Sequence, residues 1–442
     1  MSTWAGISTA LSSLRTQRVA IDVAGQNIAN VNTPGYVRQR VDMTAGIGVN
    51  VSAISRLHNG ILGDRSRTES AQLQNLSIAS NVVNDVEGVF PEPTTYGFQE
   101  KLDALWSSFS NVARDPNNAA ARVQVLSQAN AAADWLNNAA AELEDITANY
   151  SSGLANLVTT VNGYAKELSE LNVAVSQSVE NTQAANALLD RRGYVADQLA
   201  QLVGGSYHTN DLNQLSVTLG GGTLAGPSTY ATLQVASAGG VTSLQWAGDS
   251  TTATVTSGAA NGYLTAVNTT VDSWMTTLDS VASALTTTVN AVQTTGFDQD
   301  GNAGANLFSG TTAATISVAL TDGADIAASA IAPSGGVASL DGSKADAMAA
   351  LGTAANGPDE LYQELVVSLG FAIQAADQAA ATQESLASSI TSQIDTESGV
   401  SIDEEMANLI AYQRAYEAAA RVLTAIDAVL ETLINRTGVV GR

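Results

Sequence analysis

Apolar residues recur at intervals of seven at both ends of the chain. Near the start, Ile7, Leu14, Ile21 and Ile28 form one series, with Trp4 and Leu11 on the neighbouring seam position. A spacing of seven keeps apolar groups on one side of a helix, as coiled-coil packing requires. The seam is imperfect, because Arg18 and Gly25 stand where Trp4 and Leu11 lead one to expect apolar residues. The helix is expected to stop near Asn30, ahead of Asn32-Thr33-Pro34-Gly35. Pro34 disfavours helix at Thr33, and Pro-Gly suits the centre of a type II turn. From Tyr36 an extended stretch runs toward Val49-Asn-Val51. At the far end, Ile402, Leu409, Tyr416, Leu423 and Leu430 repeat every seven residues, with Met406 and Ile434 on the adjoining seam. Ser401 and Glu404 form an S-x-x-E capping box, and the helix should reach about Asn435, with Gly438 beyond it. Each stripe could pack into an ordinary globular core; its length and its place at a chain end favour pairing of the two helices.

Between these ends the pattern changes twice. From about Gly60 to Val203 apolar residues keep helical spacing, as in Leu102, Leu105, Trp106 and Phe109, with a break at Asp115-Pro116-Asn117. They continue through Val123, Leu126, Trp135 and Leu136, then through Leu154, Leu157, Val161, Leu168 and Leu171, which a helical bundle accounts for most simply. From Gly204 to Gly262 short alternating runs appear, Gln214 to Leu219, Leu233 to Val235 and Leu244 to Trp246, separated by glycines. These read as strands of a small antiparallel domain. Helical spacing returns from Leu264 to Val292 and from Asp359 to Ser392, around a Gly/Ala/Ser/Thr-rich span at Gly296 to Gly342. The expected fold is mainly α with a β insert, elongated and nested. Paired, coiled-coil-like terminal helices (1–58 with 393–442) enclose a helical bundle domain (59–203 with 263–392), which encloses the β domain (204–262).

Composition narrows the partners. The 442 residues, 45% of them apolar, suffice for a full core and suggest about three domains. A formal charge of −24, with lysine only at 101, 166 and 344, repels phosphate backbones and argues against nucleic acid and anionic membrane. There is no cysteine, so neither a disulfide framework nor a thiolate metal site is available. The first residues lack the basic and apolar regions of a secretory signal. No run of roughly 20 apolar residues is expected to span a membrane.

Candidate chemistry is sparse. His58 and His208 are isolated, in a turn and at the start of the β region, too few for most zinc sites. Gly220-Gly-Gly222 lies between strands with no lysine after it, which suits a turn and not a phosphate loop. Asp298-Gln-Asp300-Gly-Asn302 begins like a calcium loop. The match fails where Ala303 replaces the turn glycine and Ser309 the bidentate glutamate, leaving a turn held by Asx bonds. Asp403-Glu404-Glu405 opens a helix, where acidic groups meet the positive end of the dipole. No catalytic residue, cofactor or metal site is expected.

Two segments resemble a known family. Asn27-Ile-Ala-Asn30-Val-Asn-Thr33-Pro34-Gly35-Tyr36-Val-Arg38 resembles the N-terminal signature of the flagellar rod, hook and hook-associated proteins. Glu404-Glu405-Met-Ala-Asn408-Leu409-Ile410-Ala-Tyr412-Gln413-Arg414-Ala415-Tyr416 looks like the matching C-terminal signature. Within that axial family, three stretches are similar to the type 1 hook-associated proteins: Leu102 to Trp135, Leu188-Leu189-Asp190-Arg191-Arg192, and Thr295 to Asn302. Two places depart from the pattern. Gly193 stands where an acidic residue is commoner, and Arg56-Leu-His58-Asn-Gly60 lacks the usual acidic–aromatic pair. The resemblance implies an extracellular structural subunit between hook and filament, exported without a cleaved signal peptide through the flagellar type III channel. It implies an inner assembly domain made by the terminal helices, with the Asn30, Thr33, Pro34, Gly35, Tyr36 turn directing the first helix. The implied partners are further copies of itself, the hook protein, the second hook-associated junction protein and an export chaperone on the C-terminal helix. Another axial protein, hook or distal rod, is the nearest alternative; an adhesin module or an enzyme in the β region are the others.

Overall fold

The computed structural model describes residues 3–333 and 339–436. Helix α1 (Thr3–Ala29) leads into the turn Thr33-Pro34-Gly35-Tyr36, where the Tyr36 N–H donates to the Thr33 carbonyl at 3.1 Å. Gly35 has φ +79°, as the third position of a type II turn requires. The stretch beyond is a hairpin, β1 (Gln39–Gly46) and β2 (Gly48–Arg56), whose reversal uses Gly48 at φ +87°. Sequence reading expected extended chain there, but not the reversal.

The helices α2 (Gly60–Val89), α3 (Phe98–Arg114), α4 (Ala119–Gln177) and α5 (Gln183–Val203) follow. Asn59, Asn118 and Thr182 cap α2, α4 and α5 by accepting from backbone N–H groups of the first turn. The two apolar runs of the bundle region belong to one helix, α4, whose 59 residues span about 90 Å. Strands β3 (Ser206–Thr209), β4 (Leu215–Leu219) and β5 (Gly222–Ala225) form one antiparallel sheet, and β6 (Leu233–Ala238) with β7 (Val241–Trp246) another. Helix α6 (Gly258–Thr265) continues through a π turn at Ala266–Thr270 into α7 (Val271–Gln293). Short strands β8 (Phe308–Ser309) and β9 (Ser317–Val318), then α8 (Ser343–Ala349), precede α9 (Pro358–Ser398) and α10 (Ile402–Arg436). The Ser401 Oγ accepts the Glu404 N–H at 3.4 Å, as its capping pattern suggests. Gly438 lies outside the described residues.

Apolar side chains gather into two large cores, and α4 runs through both. Its first half packs with α2, α3, α7, α8 and the start of α9 around Phe98, Leu105, Leu136, Leu285 and Tyr362. Phe98 stacks on Trp135 at 4.9 Å, with Tyr362 edge-on to both. Its second half, Leu154 to Leu168, packs with α5, α6 and the strands through Leu199, Val217, Leu224 and Leu244. The two- and three-stranded sheets therefore share their core with helices, as sheets too small to bury a face alone must.

One difference concerns hydropathy. Within 343–435 one window is apolar enough by length and composition to cross a membrane, though only 11% of it is buried in the chain. Alanine runs such as Ala379-Ala380-Ala381 and Ala418-Ala419-Ala420 raise the hydropathy of this region.

Candidate assembly interface

Helix α1 lies against α10. Gly6 sits beside Ile426, where an added Cβ would come within 2.9 Å of Cδ1, whereas Ala20 and Val23 share a small core with Tyr412. Contacts that run in opposite order along the two helices make the pair antiparallel. The buried face of α1 is built of small or polar residues: Ala10, Thr16, Gln17, Ala20, Val23, Ala24 and Asn27. Their spacing of three and four lies in the sequence beside the heptad series of larger residues, from which the buried face of the helix is not predicted. Ile7, Leu14, Ile21 and Ile28 are half-buried beside that face, while Leu11 is exposed and Trp4 is 76% exposed. On α10, Leu409, Leu423 and Leu430 are half-buried; Ile402, Met406 and Tyr416 are exposed, and Ile434 is 74% exposed. The single chain thus brings part of both stripes together and leaves the rest on its surface.

The turn region joins α1 to everything below it. The Asn27 side chain acts as an extra strand partner for β1: its Nδ2 donates to the Gln39 carbonyl at 2.9 Å, and its Oδ1 accepts from the Gln39 N–H at 3.0 Å. Tyr36 donates its hydroxyl to the same Oδ1 at 2.7 Å. Burial, reinforced by the negative charges of Asp190 and Glu405, pushes the Tyr36 pKa up to about 12. The Asn30 Oδ1 accepts from the Thr33 hydroxyl at 3.1 Å, which ties the helix end to the turn. Thr16 and Ser12 donate to the Val49 and Ile47 carbonyls, clamping the hairpin along α1.

Ion pairs then link the hairpin to the distant chain. Arg38 donates to the Glu405 carboxylate through Nε at 2.8 Å and a terminal nitrogen at 2.7 Å, and it reaches Glu404 at 2.9 Å. Glu405 is buried, so this pair is screened far less than a surface one. Arg56 pairs with Asp190 of α5 at 2.7 Å, and Asn186 donates to the Gln39 side chain and the Ile54 carbonyl. Sequence reading placed Glu404 and Glu405 at the helix dipole, where they do lie. It missed Arg38 as their partner, because nothing local signals a contact 367 residues away.

The remaining polar positions have structural surroundings. The Asp298 carboxylate is filled by its own loop, accepting the N–H groups of Asp300 and Asn302 at 2.9 and 2.7 Å and the Asn302 side chain at 3.0 Å. Gly220 and Gly221 take positive φ in the turn between β4 and β5. His208 lies on β3. His58 precedes α2, and burial, then Arg56 and Arg67, lower its pKa. Among the described residues no group of three or more His, Asp and Glu is arranged to hold a metal ion.

The two chain ends that form this helix pair and hairpin both match models of flagellar axial proteins. Residues 7–36 match the family model "Flagella basal body rod protein", and residues 392–436 match "Flagellar basal body rod FlgEFG protein C-terminal". Residues 83–308, half of the chain, match "Flagellar hook-associated protein FlgK helical domain", and the chain belongs to that family. Flagellar hook-associated protein 1 of Bacillus subtilis is 26% identical over 505 aligned positions, covering all of both chains. The Salmonella typhimurium protein of the same name is 22% identical over 69% of this chain, which spans 59% of that relative's length. The solved flagellar hook junction protein FlgK from Burkholderia pseudomallei has the same fold, at TM-score 0.65 and 16% identity, over 75% of this chain and 99% of that one.

Proposed function

We propose that the chain is a structural, non-catalytic subunit of the flagellar hook–filament junction that polymerises through its paired terminal helices. The apolar surface left on α10 carries this reading: Ile402, Met406, Tyr416 and Ile434 are exposed in the single chain beside a seam that α1 covers only in part. Contiguous exposed apolar surface marks a contact site. In a tube, neighbouring copies would cover it, and contacts between unlike surfaces extend without closing into a dimer. Long helices gain most of their stability from packing, so ordering of these ends is completed on assembly.

In this reading 1–58 with 393–442 is the assembly domain. The segments 59–203 with 263–392 are the helical domain and 204–262 its β insert. Trp4, Ile7, Leu11, Leu14, Ile21 and Ile28 act with Leu409, Leu423, Leu430 and the exposed α10 residues. Hook protein would lie on one side and the second hook-associated protein on the other. Before export as an unfolded chain, without a cleaved signal, a chaperone would shield α10.

Electron microscopy of cells lacking the gene tests the position: complete hooks without filaments, and flagellin in the medium, are expected. Normal filaments would overturn the proposal. Re-expression of the Leu14→Asp, Leu423→Asp double variant should fail to restore filaments, and restored motility would remove the helix-pairing mechanism.

A further inference from the structure

Beyond the apolar helix pair, the most unusual chemistry lies where the hairpin meets the helical body. A cavity of about 310 Å³ is lined by Arg56, His58, Asp64, Arg67, Arg192, Thr209 and Asn213, drawn from the end of β2, the turn after it, α2, α5 and the β3–β4 segment. Three guanidinium groups thus converge in a chain of net charge −24. Two have carboxylate partners: Arg56 holds Asp190 at 2.7 Å, and Arg67 holds Asp64 at 2.9 Å and Asp197 at 2.8 Å. Arg192 differs. It is only 7% exposed, and its described hydrogen bonds go to amides, the Asn213 carbonyl, the Asn213 Oδ1 at 3.0 Å and the Asn172 Oδ1 at 3.4 Å. Among the described residues no carboxylate forms an ion pair with it.

A buried cation without a counter-charge is costly, since burial favours the neutral form. Burial, then repulsion from Arg56 and Arg67, lowers the Arg192 pKa to about 10. All three line the one cavity, so their charges face the same small space. Each guanidinium carries five donors in a planar fork, and the bonds above engage only some of them. A small anion with several oxygens meets both needs, accepting from more than one fork while supplying the missing negative charge.

We propose that this cavity binds a small tetrahedral oxyanion, held by Arg192 with Arg56 and Arg67, with the Thr209 hydroxyl and the Asn213 side chain at its rim. The site uses none of the apolar residues of the helix pair, and it does not depend on the function proposed above. Diffuse accumulation of anions on a chain of this charge is opposed by its own field, so binding here is site-specific.

Equilibrium dialysis of the purified full chain against radiolabelled sulfate, with sodium chloride holding ionic strength constant, tests it. One saturable site per chain is expected, with competition by inorganic phosphate. Arg192→Gln and Arg67→Gln should each weaken binding at least tenfold, and Arg114→Gln, at the end of α3, should leave it unchanged. Should Arg192→Gln fail to fold by circular dichroism, Arg67→Gln decides the matter. Its partners Asp64 and Asp197 have side chains 65% and 49% exposed, so their release should cost less than that of a buried carboxylate. Absence of saturable binding to the wild-type chain, or binding that survives Arg67→Gln unchanged, would overturn the proposal.

Discussion

At Gly35 the backbone has φ +79°, and a Cβ added there would lie 2.7 Å from the Tyr194 Cβ. Two separate penalties therefore meet at one residue, a left-handed conformation and a clash with α5. Gly35→Ala should destabilise the chain by about 2 kcal/mol, read as a lower urea midpoint at unchanged slope. Pro34→Ala keeps both the conformation and the space, and should change the midpoint far less. The turn itself was legible, because Pro-Gly after a helix has a local mechanism. Tyr194 opposite it was not, since the pairing depends on how α5 returns to the hairpin. Asn27 is similar: its motif marked it, but its work as a strand partner for Gln39 needs the folded hairpin.

Between elements, the Arg38–Glu405 pair fastens α10 to the hairpin. Replacing Arg38 by Gln leaves the Glu405 carboxylate buried with its cation gone. Losing one partner of a buried pair costs more than the pair contributes. The docking of α10 should weaken by about 3 kcal/mol, seen as faster hydrogen exchange in its first turns while amides of α3 and α4 keep their protection. Unchanged exchange near Glu405 would show that apolar contacts alone hold α10. The helix stripes were legible from spacing, and so was the capped start of α10. Which face of α1 is buried was not. The small residues Ala10, Ala20 and Ala24 allow close approach to the hairpin and α10, and the larger heptad residues are moved to the flank.

For the whole molecule, pH dependence follows from buried carboxyls in different parts of the fold. Burial raises the pKa of Asp190, with Arg56 opposing in part, and of Asp359, with hydrogen bonds from Trp106 and Gln99 opposing in part. The native state then binds these protons more readily than the unfolded chain, so their contribution grows as pH falls from neutral through the raised native values. It is complete below the unfolded value of about 4. Asp42 acts the other way: the Ser55 hydroxyl and Arg40 hold its carboxyl below the usual range, and its contribution is lost only as pH falls through that lowered value. The Tm of Asp359→Asn relative to wild type should therefore fall as the pH is lowered from 8 toward 4, because only the wild-type carboxyl gains stability by protonating. His58, whose pKa burial lowers, works against any overall rise in Tm below about pH 6.5 in both proteins. A difference between the two proteins that does not change with pH would contradict the scheme.

By itself the sequence determined what spacing and local chemistry can specify. Heptad stripes at the chain ends, the Pro34-Gly35 turn, the capped start of α10, the helical middle and the short strands all follow from interactions within a few residues. The motif residues that carry the family resemblance lie in those same segments. Tertiary structure alone decided what long-range closure sets: the single helix α4 shared by two cores, the strands packed into a helical core, and the buried face of α1. The Arg38–Glu405 pair and the convergence of Arg56, Arg67 and Arg192 belong to that second group. Their physical reason is common to all: each joins residues far apart in the chain, and periodicity reports which face of an element is apolar without naming what will cover it.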